Sequence, residues 1–293
     1  GARVVLVGDH RQLPEVGAGG GFAYATQHAG TITELTINRR QQQPWEQQAL
    51  TALRDGNVID AVDAYVAHRR VIVTPDNNTL IDRAVDTWNQ ARARSLDAVL
   101  VAGTNETVDK LNTAVLNQLS QPGAPLHDSA TGTFAGTRWR VGQRAVIRRN
   151  YNDRLDPTVR VRNGQTGTIT RVAEGKLTIQ LDDMPAPVTL GQSYLDAGGR
   201  LSHGYASTIH RTQGGTWDVA ISVGLDGLYR EGAYTALSRG RHANIICLTH
   251  PEARQLEAER TQDPPRHDSG LRLPTEEPRT VCDELTNRIN QRR

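Results

Sequence analysis

"GARVVLVGDHRQLPEVGAGGGF" occupies Gly1 to Phe22, and its reading decides the fold of the chain. Arg3 to Val7 are mostly β-branched residues and leucine, the composition of a buried strand. The run passes directly into Gly8-Asp9-His10-Arg11-Gln12-Leu13-Pro14, a polar loop closed by a proline. A polar loop at the carboxyl end of a parallel strand is where open α/β sheets bind ligands. Taken alone, the loop would also fit an ordinary capped turn. The earlier strands of such a sheet come first in a sequence, and the single methionine is Met184, so the chain is expected to be a piece of something longer.

Beyond this edge, strand and helix patterns alternate. Gly17 to Gly21 form a glycine-rich loop, Phe22 to His28 a short helix and Ile32 to Ile37 a strand. Pro44 suits the first turn of a helix to Arg54, and Val58 to His68 form another. Val71 to Val73 read as a strand, Thr79 to Arg94 as an amphipathic helix and Ala98 to Ala102 as a buried strand. A helix from Glu106 to Leu119 follows, capped by Thr104 or Asn105. Strands alternating with helices predict a parallel sheet covered on both faces. Near Gly132 the texture changes to short alternating segments through Val188, with Asn163-Gly164 and Glu174-Gly175 as hairpin turns, which predicts a small β-barrel inserted in the α/β lobe. The α/β pattern returns with a helix at Thr208 to Gln213, a strand at Val219 to Val223, a helix at Gly232 to Arg239 and a strand at Ile245 to Thr249. A polar, proline-punctuated tail follows, expected to be largely disordered or a linker, with a short helix at Glu252 to Arg260.

The 293 residues carry a formal charge of +2, too small to name a partner, but the basic side is almost all arginine, with Lys110 and Lys176 the only lysines. A genome rich in G and C accounts for that skew, and arginine's planar fork suits phosphate whatever its origin. Cys247 and Cys282 are far apart without metal-ligand spacing, and Cys247 lies in an apolar run that predicts a buried thiol. A zinc site or disulfide is therefore not expected, and a cytoplasmic setting is. No stretch reaches the roughly 20 apolar residues of a membrane span.

Two further stretches join the opening loop as candidates for chemistry. His203-Gly-Tyr-Ala-Ser-Thr-Ile-His-Arg-Thr-Gln-Gly-Gly215 crowds Ser207, Thr208, His210, Arg211, Thr212 and Gln213 into one short helix before a double glycine. Tyr234-Thr-Ala-Leu-Ser-Arg-Gly-Arg241 places Arg239 and Arg241 near a helix end, where the dipole favours cations. A solvated polar face and a dipole effect explain each separately, but not their joint occurrence in this order.

Together these stretches resemble superfamily-one helicases of the RecD-like, 5′-to-3′ branch. GDHRQLPEVGAGG looks like motif III, TINRRQ like motif IV, HGYASTIHRTQGG like motif V and YTALSRGR like motif VI. NYNDRLDPTVRVRNGQTG is similar to part of the SH3-like insertion that these helicases carry in their second RecA-like lobe. The wording is most similar to the helicase part of conjugative relaxases of actinobacterial plasmids. The resemblance implies a RecA-like parallel-sheet lobe with an inserted small SH3-like β-barrel. It divides the chain into a remnant of the first RecA-like lobe (1–34), the first part of the second lobe (35–135), the barrel (136–200), the remainder of the second lobe with motifs V and VI (201–250) and the tail (251–293). Two elements of the family pattern are missing: no G-x-x-x-x-G-K-[ST] phosphate loop occurs, and no Asp-Glu pair follows a strand.

The resemblance implies ATP and Mg2+ as cofactors of the full-length protein, with neither bound by this chain alone and no metal-ligating residues within it. It implies that Gln12 senses the γ-phosphate or orients the attacking water, and that Asp9 supports its loop. Arg40, or its neighbour Arg39, would reach the γ-phosphate from the second lobe, and Arg239 would be the arginine finger. Gln213 and Gly214 would read the nucleotide, while Thr208 and His210 face DNA. The partners implied are single-stranded DNA and a missing N-terminal half, with no membrane. Arg138 to Arg162 hold eight arginines, including Arg148 and Arg149, against Asp153 and Asp156. Trp139 and Tyr151 lie among them, the mixture that grips single strands without reading sequence. A solvated barrel face is the plainer account of these charges. The alternative to a helicase fragment is a non-catalytic DNA-binding or scaffold module, or a degenerate gene product.

Overall fold

The computed structural model describes residues 4–9, 11–13, 20–34, 38–154, 156–250 and 281–291. In chain order the first elements are α1 (Gly21–His28), α2 (Pro44–Asp55), α3 (Val58–Ala67), β1 (Val71–Thr74), α4 (Asn77–Ala93), β2 (Ala98–Ala102) and α5 (Asn105–Leu119). There follow β3 (Thr131–Phe134), β4 (Thr137–Arg140), β5 (Arg144–Ile147), β6 (Tyr151–Asn152), β7 (Arg160–Val161), β8 (Thr166–Ala173), β9 (Lys176–Leu181), β10 (Val188–Leu190), α6 (Gln192–Asp196) and β11 (Leu201–His203). The last are β12 (Ala206–Thr208), α7 (Ile209–Thr212), β13 (Trp217–Val223), α8 (Arg230–Leu237), β14 (Gly240–Thr249) and a C-terminal helix, α9 (Val281–Asn290). The chain forms two compact units, one of residues 1–107 with 208–293 and one of residues 108–207.

In the first unit β1, β14, β13 and β2 lie side by side in that order, all parallel. All five residues of β2 are buried, as is usual for a parallel strand covered on both faces. Asp76 caps α4 by accepting from the Thr79 amide at 2.7 Å, and Trp88 of α4 donates its indole N–H to the Ala98 carbonyl at 2.9 Å. Leu50 and Leu53 of α2, Val62 and Tyr65 of α3, and Ala233 and Ala236 of α8 share one core with Val99 and Ile246 of the sheet. Cys247 is buried, as its apolar neighbours predict, and burial pushes its thiol up to about 12.

Three expectations need correction here. Val4 to Val7 are not a strand, and they are between 61% and 91% exposed. A strand requires a hydrogen-bonding neighbour, and none of the described strands pairs with this run. Ile32 to Glu34 are likewise not strand; residues 35–37 lie outside the described residues. At the other end, α9 is an ordered helix within the expected tail, because Leu285 and Ile289, four residues apart, are buried in the first unit's core. The expected helix at Glu252 to Arg260 lies outside the described residues.

The second unit contains an antiparallel sheet in the order β10-β9-β8-β5-β11, with β3-β4 and β6-β7 as separate pairs. Glu174-Gly175 joins β8 to β9 as a two-residue hairpin, with Ala173 opposite Lys176. Asn163-Gly164 is not a hairpin turn, because it links β7, paired with β6, to β8, paired with β5 and β9. Phe134, Trp139, Ile169, Ile179 and Tyr194 fill this unit's core. Trp139 is only 1% exposed, so it is a core residue and not a stacking surface for bases. Its ring centroid lies 4.4 Å from that of His203, and burial pushes the His203 imidazole down to about 4.

Candidate functional site

The site is built where α8 leads into β14. Leu13 docks the opening loop on this element: its side chain is buried, its amide donates to Thr235 Oγ1 at 3.1 Å, and its carbonyl accepts from Gln213 Nε2 at 3.4 Å. Within the loop, Asp9 accepts from the Arg11 amide and from Gln12 Nε2, both at 3.0 Å, which fixes the Gln12 amide. Burial raises the Tyr234 hydroxyl above its ordinary value, and Asp9, hydrogen-bonded to it, adds to the rise. His10 lies outside the described residues.

The segment Arg40-Gln41-Gln42 runs beside the end of α8. Arg40 Nη1 donates to the Ser238 carbonyl at 2.6 Å, Gln41 Nε2 to the Gly240 carbonyl at 2.9 Å, and the Gln42 amide to the Arg241 carbonyl at 2.9 Å. Gly240 is required here, since a Cβ would lie 2.1 Å from the Ala243 carbonyl. The turn is braced from below by Glu46 and Asn244, both buried. Asn244 Oδ1 accepts from the Gly240 amide at 2.7 Å, and its Nδ2 donates to Glu46 Oε1 at 3.0 Å. Burial raises the Glu46 carboxyl above its ordinary value, and Asn244 opposes that shift.

Arg239 is enclosed. It is 1% exposed, with Nε donating to the Thr235 carbonyl at 2.7 Å and Nη2 to Ser238 Oγ at 2.6 Å. Its Nη1 faces the Thr212 and Gly215 carbonyls at 3.3 and 3.4 Å. Burial pushes this guanidinium down to about 10, and Arg40 adds to the effect. Gln213 and Gly214 form the exposed tip of the turn whose flanking carbonyls hold Arg239. A Cβ on Gly215 would lie 2.2 Å from the Trp217 ring, so the second glycine of the pair allows close packing against that ring.

Where Arg40 meets the end of α8 lies a pocket of about 200 Å³, lined by Gln12, Asn38, Arg39, Arg40, Gln41, Leu50, Thr51, Arg54, Tyr234 and Ser238. Three guanidiniums and no carboxylate line it, which suits an anion. The structure therefore brings Asp9, Gln12, Arg40, Gln213 and Arg239 together, with Arg39 on the pocket rim. Arg239 and Gly215 lead into the amino ends of β14 and β13. The carboxyl-edge reading of the opening loop has no strand to rest on, since Val4 to Val7 are not a strand. Arg54 and Tyr234 were missed as site residues: Arg54 hides in an amphipathic helix pattern, while Tyr234 stands within the third stretch.

Thr208 is half-buried at the N-cap of α7 and His210 is exposed within it, while the buried Ile209 and Thr212 anchor the helix. In the second unit Arg138 is exposed and donates to Thr131 Oγ1 at 3.2 Å, and Arg149 is exposed. Arg148 donates from Nε to Ser202 Oγ, with its Nη1 buried and without a partner. The Tyr151 hydroxyl donates to Asp153 at 2.8 Å, and its ring meets Tyr194 edge-on at 5.5 Å.

An AAA domain family model matches residues 1–76. Over 247 residues the chain is 29% identical to the conjugal transfer protein TraA of Rhizobium radiobacter, covering 82% of this chain and 21% of that protein. Over 256 residues it is 28% identical to the ATP-dependent RecD2 DNA helicase of Deinococcus radiodurans, covering 82% and 32%. The chain is a homologue of TraA and RecD2. It spans about a fifth of TraA and a third of RecD2. A structure of Pif1 helicase from Bacteroides in complex with ADP-AlF3 and ssDNA aligns with a TM-score of 0.48 and 20% identity, over 78% of this chain and 56% of that one. Among the described residues no helix is long and apolar enough to cross a membrane.

Proposed function

We propose that this TraA and RecD2 homologue is the C-terminal part of an ATP-dependent 5′-to-3′ DNA helicase or translocase, of the conjugative relaxase-helicase kind. It supplies the second half of the nucleotide cleft and binds single-stranded DNA. The observation that carries this reading is the convergence of Gln12, Arg40 and Tyr234 on one cationic pocket, which Ser238, the residue before Arg239, also lines. The residues fit a phosphate chain, because three guanidiniums line the pocket and no carboxylate competes there. They do not fit Mg2+, whose carboxylates belong to an upstream segment in this reading. When bound, ATP with Mg2+ supplies the transferable phosphoryl group.

On this reading Arg40 holds the terminal phosphate. Gln12, its amide fixed by Asp9, orients a water, and Arg239 meets charge that develops in the transition state. Arg239 must exchange its carbonyl partners to do so. Because those partners flank Gln213 and Gly214, a strand contacting Thr208 and His210 acts on the same turn. The second unit is the SH3-like insertion, and Arg138, Arg148, Arg149 and Tyr151, from β4, β6 and the segment after β5, are its DNA-binding residues. A second reading, a non-catalytic DNA-binding module, is favoured by one observation: every nitrogen of the Arg239 guanidinium already has a protein acceptor.

Phosphate release from ATP, with and without single-stranded DNA, separates the two. The chain alone is expected to show background release only, and the protein extended by its upstream coding sequence DNA-stimulated hydrolysis. Failure of the extended protein to hydrolyse ATP leaves the binding-module reading. Hydrolysis by the chain alone, abolished by Arg239→Ala, contradicts the division of the cleft.

A further inference from the structure

The cationic pocket holds one arginine that no motif accounts for. Leu50, Thr51 and Arg54 lie on one face of α2 and form one side of the pocket, with Tyr234 and Ser238 from the α8 region also lining it. The Arg54 side chain is 19% exposed and its ion pairs are long: Nε donates to Asp55 Oδ1 at 3.4 Å, and Nη1 is 3.9 Å from Glu34 Oε1. Arg11 serves the same two carboxylates, Asp55 at 3.0 Å and Glu34 at 3.8 Å. The Glu34 contact of Arg54 is beyond hydrogen-bonding distance, and that to Asp55 is at its edge. If Arg54 turns away, Asp55 keeps its shorter partner, so the turn costs little. Ion pairs this long and partly solvated contribute little. A phosphate in the pocket offers instead two oxygens at charge-assisted distance to a planar fork.

We propose that Arg54 is a phosphate-binding residue of this pocket, taking the terminal phosphates of a nucleoside triphosphate together with Arg40. This rests on the nucleotide reading of the site. Arg11 is its counterpart: by holding Asp55 and Glu34 it leaves Arg54 free to change partners. Tyr234, which lines the same pocket, lies near both Arg54 and Asp9.

The test is calorimetric titration of the protein extended by its upstream coding sequence with sodium tripolyphosphate, ATP and a thymidine oligonucleotide at low ionic strength. Arg54→Ala, Arg54→Gln, Arg40→Ala and Arg92→Ala are compared, with melting curves as folding controls; Arg92 is an exposed arginine that sits over the Trp88 ring on α4. Both Arg54 variants are expected to weaken tripolyphosphate and ATP roughly ten-fold, as Arg40→Ala does. Arg92→Ala binds as wild type, and oligonucleotide affinity is unchanged by Arg54→Gln. If Arg40→Ala weakens ATP and folded Arg54→Gln does not, the proposal fails and the nucleotide reading stands. If Arg54 governs tripolyphosphate while ATP does not bind, the anion site stands and the nucleotide reading fails. No binding by wild type, or an equal loss in Arg92→Ala, overturns the proposal.

Discussion

At the scale of single residues, burial decides what each charged group can do. Arg239 satisfies three backbone carbonyls and one hydroxyl in a closed space. Arg239→Ala leaves buried acceptors without donors and is expected to cost about 2 to 4 kcal/mol in chemical denaturation of the chain. Arg239→Lys, a point charge in place of a fork, recovers only part of that. A loss below about 0.5 kcal/mol contradicts the enclosed arrangement. His203 titrates in the opposite sense to a paired histidine. Its folded value of about 4 lies below the unfolded 6.5, so the folded state binds fewer protons over that interval. Stability is complete above pH 6.5 and falls as the pH drops toward 4, by about 2 kcal/mol after discounting for partial exposure. Melting curves across this range are expected to flatten in His203→Phe, which keeps a ring beside Trp139. An unchanged pH dependence places the titration elsewhere.

At the scale of elements, α9 is part of the first unit's core. Leu285→Ala empties a fully buried site shared with α3 and α8 and is expected to lower stability by about 2 to 4 kcal/mol in urea. A change within error means the helix is not docked in solution. Its amphipathic spacing was present in the sequence, yet the prolines before it made a disordered tail the expectation. β2 and α4 were legible because buried runs and helical periodicity are local signals. The opening strand misled for the converse reason: a strand is made by its neighbour, and the apolar run Val4 to Val7 has none among the described strands. The three polar stretches singled out in the sequence lie side by side: the Leu13 carbonyl accepts from Gln213, and Arg239 donates to the Thr212 carbonyl. Their meeting at the amino ends of β13 and β14 depends on long-range pairing that no local pattern encodes. Arg54 and the Glu46–Asn244 brace depend on the same tertiary contacts.

At the scale of the molecule, a pocket suited to anions and an arginine-bearing antiparallel sheet belong to one chain with little net charge. Single-strand binding is expected to be sequence-independent and to weaken steeply with salt. Replacing Arg138 and Arg149 flattens the slope by roughly 0.7 for each phosphate that is no longer neutralised, read from fluorescence titrations over a salt series. An unchanged slope removes the second unit from the DNA site. The central claim is that the three motifs form half of a hydrolytic cleft. Its most direct measurement is steady-state ATP hydrolysis on single-stranded DNA by the protein extended through its upstream sequence, with and without Arg239→Ala. A group that meets charge only in the transition state affects kcat far more than KM. The account predicts a fall in kcat of about 10³ or more, with KM nearly unchanged. A folded Arg239→Ala protein that turns over near the wild-type rate would contradict it.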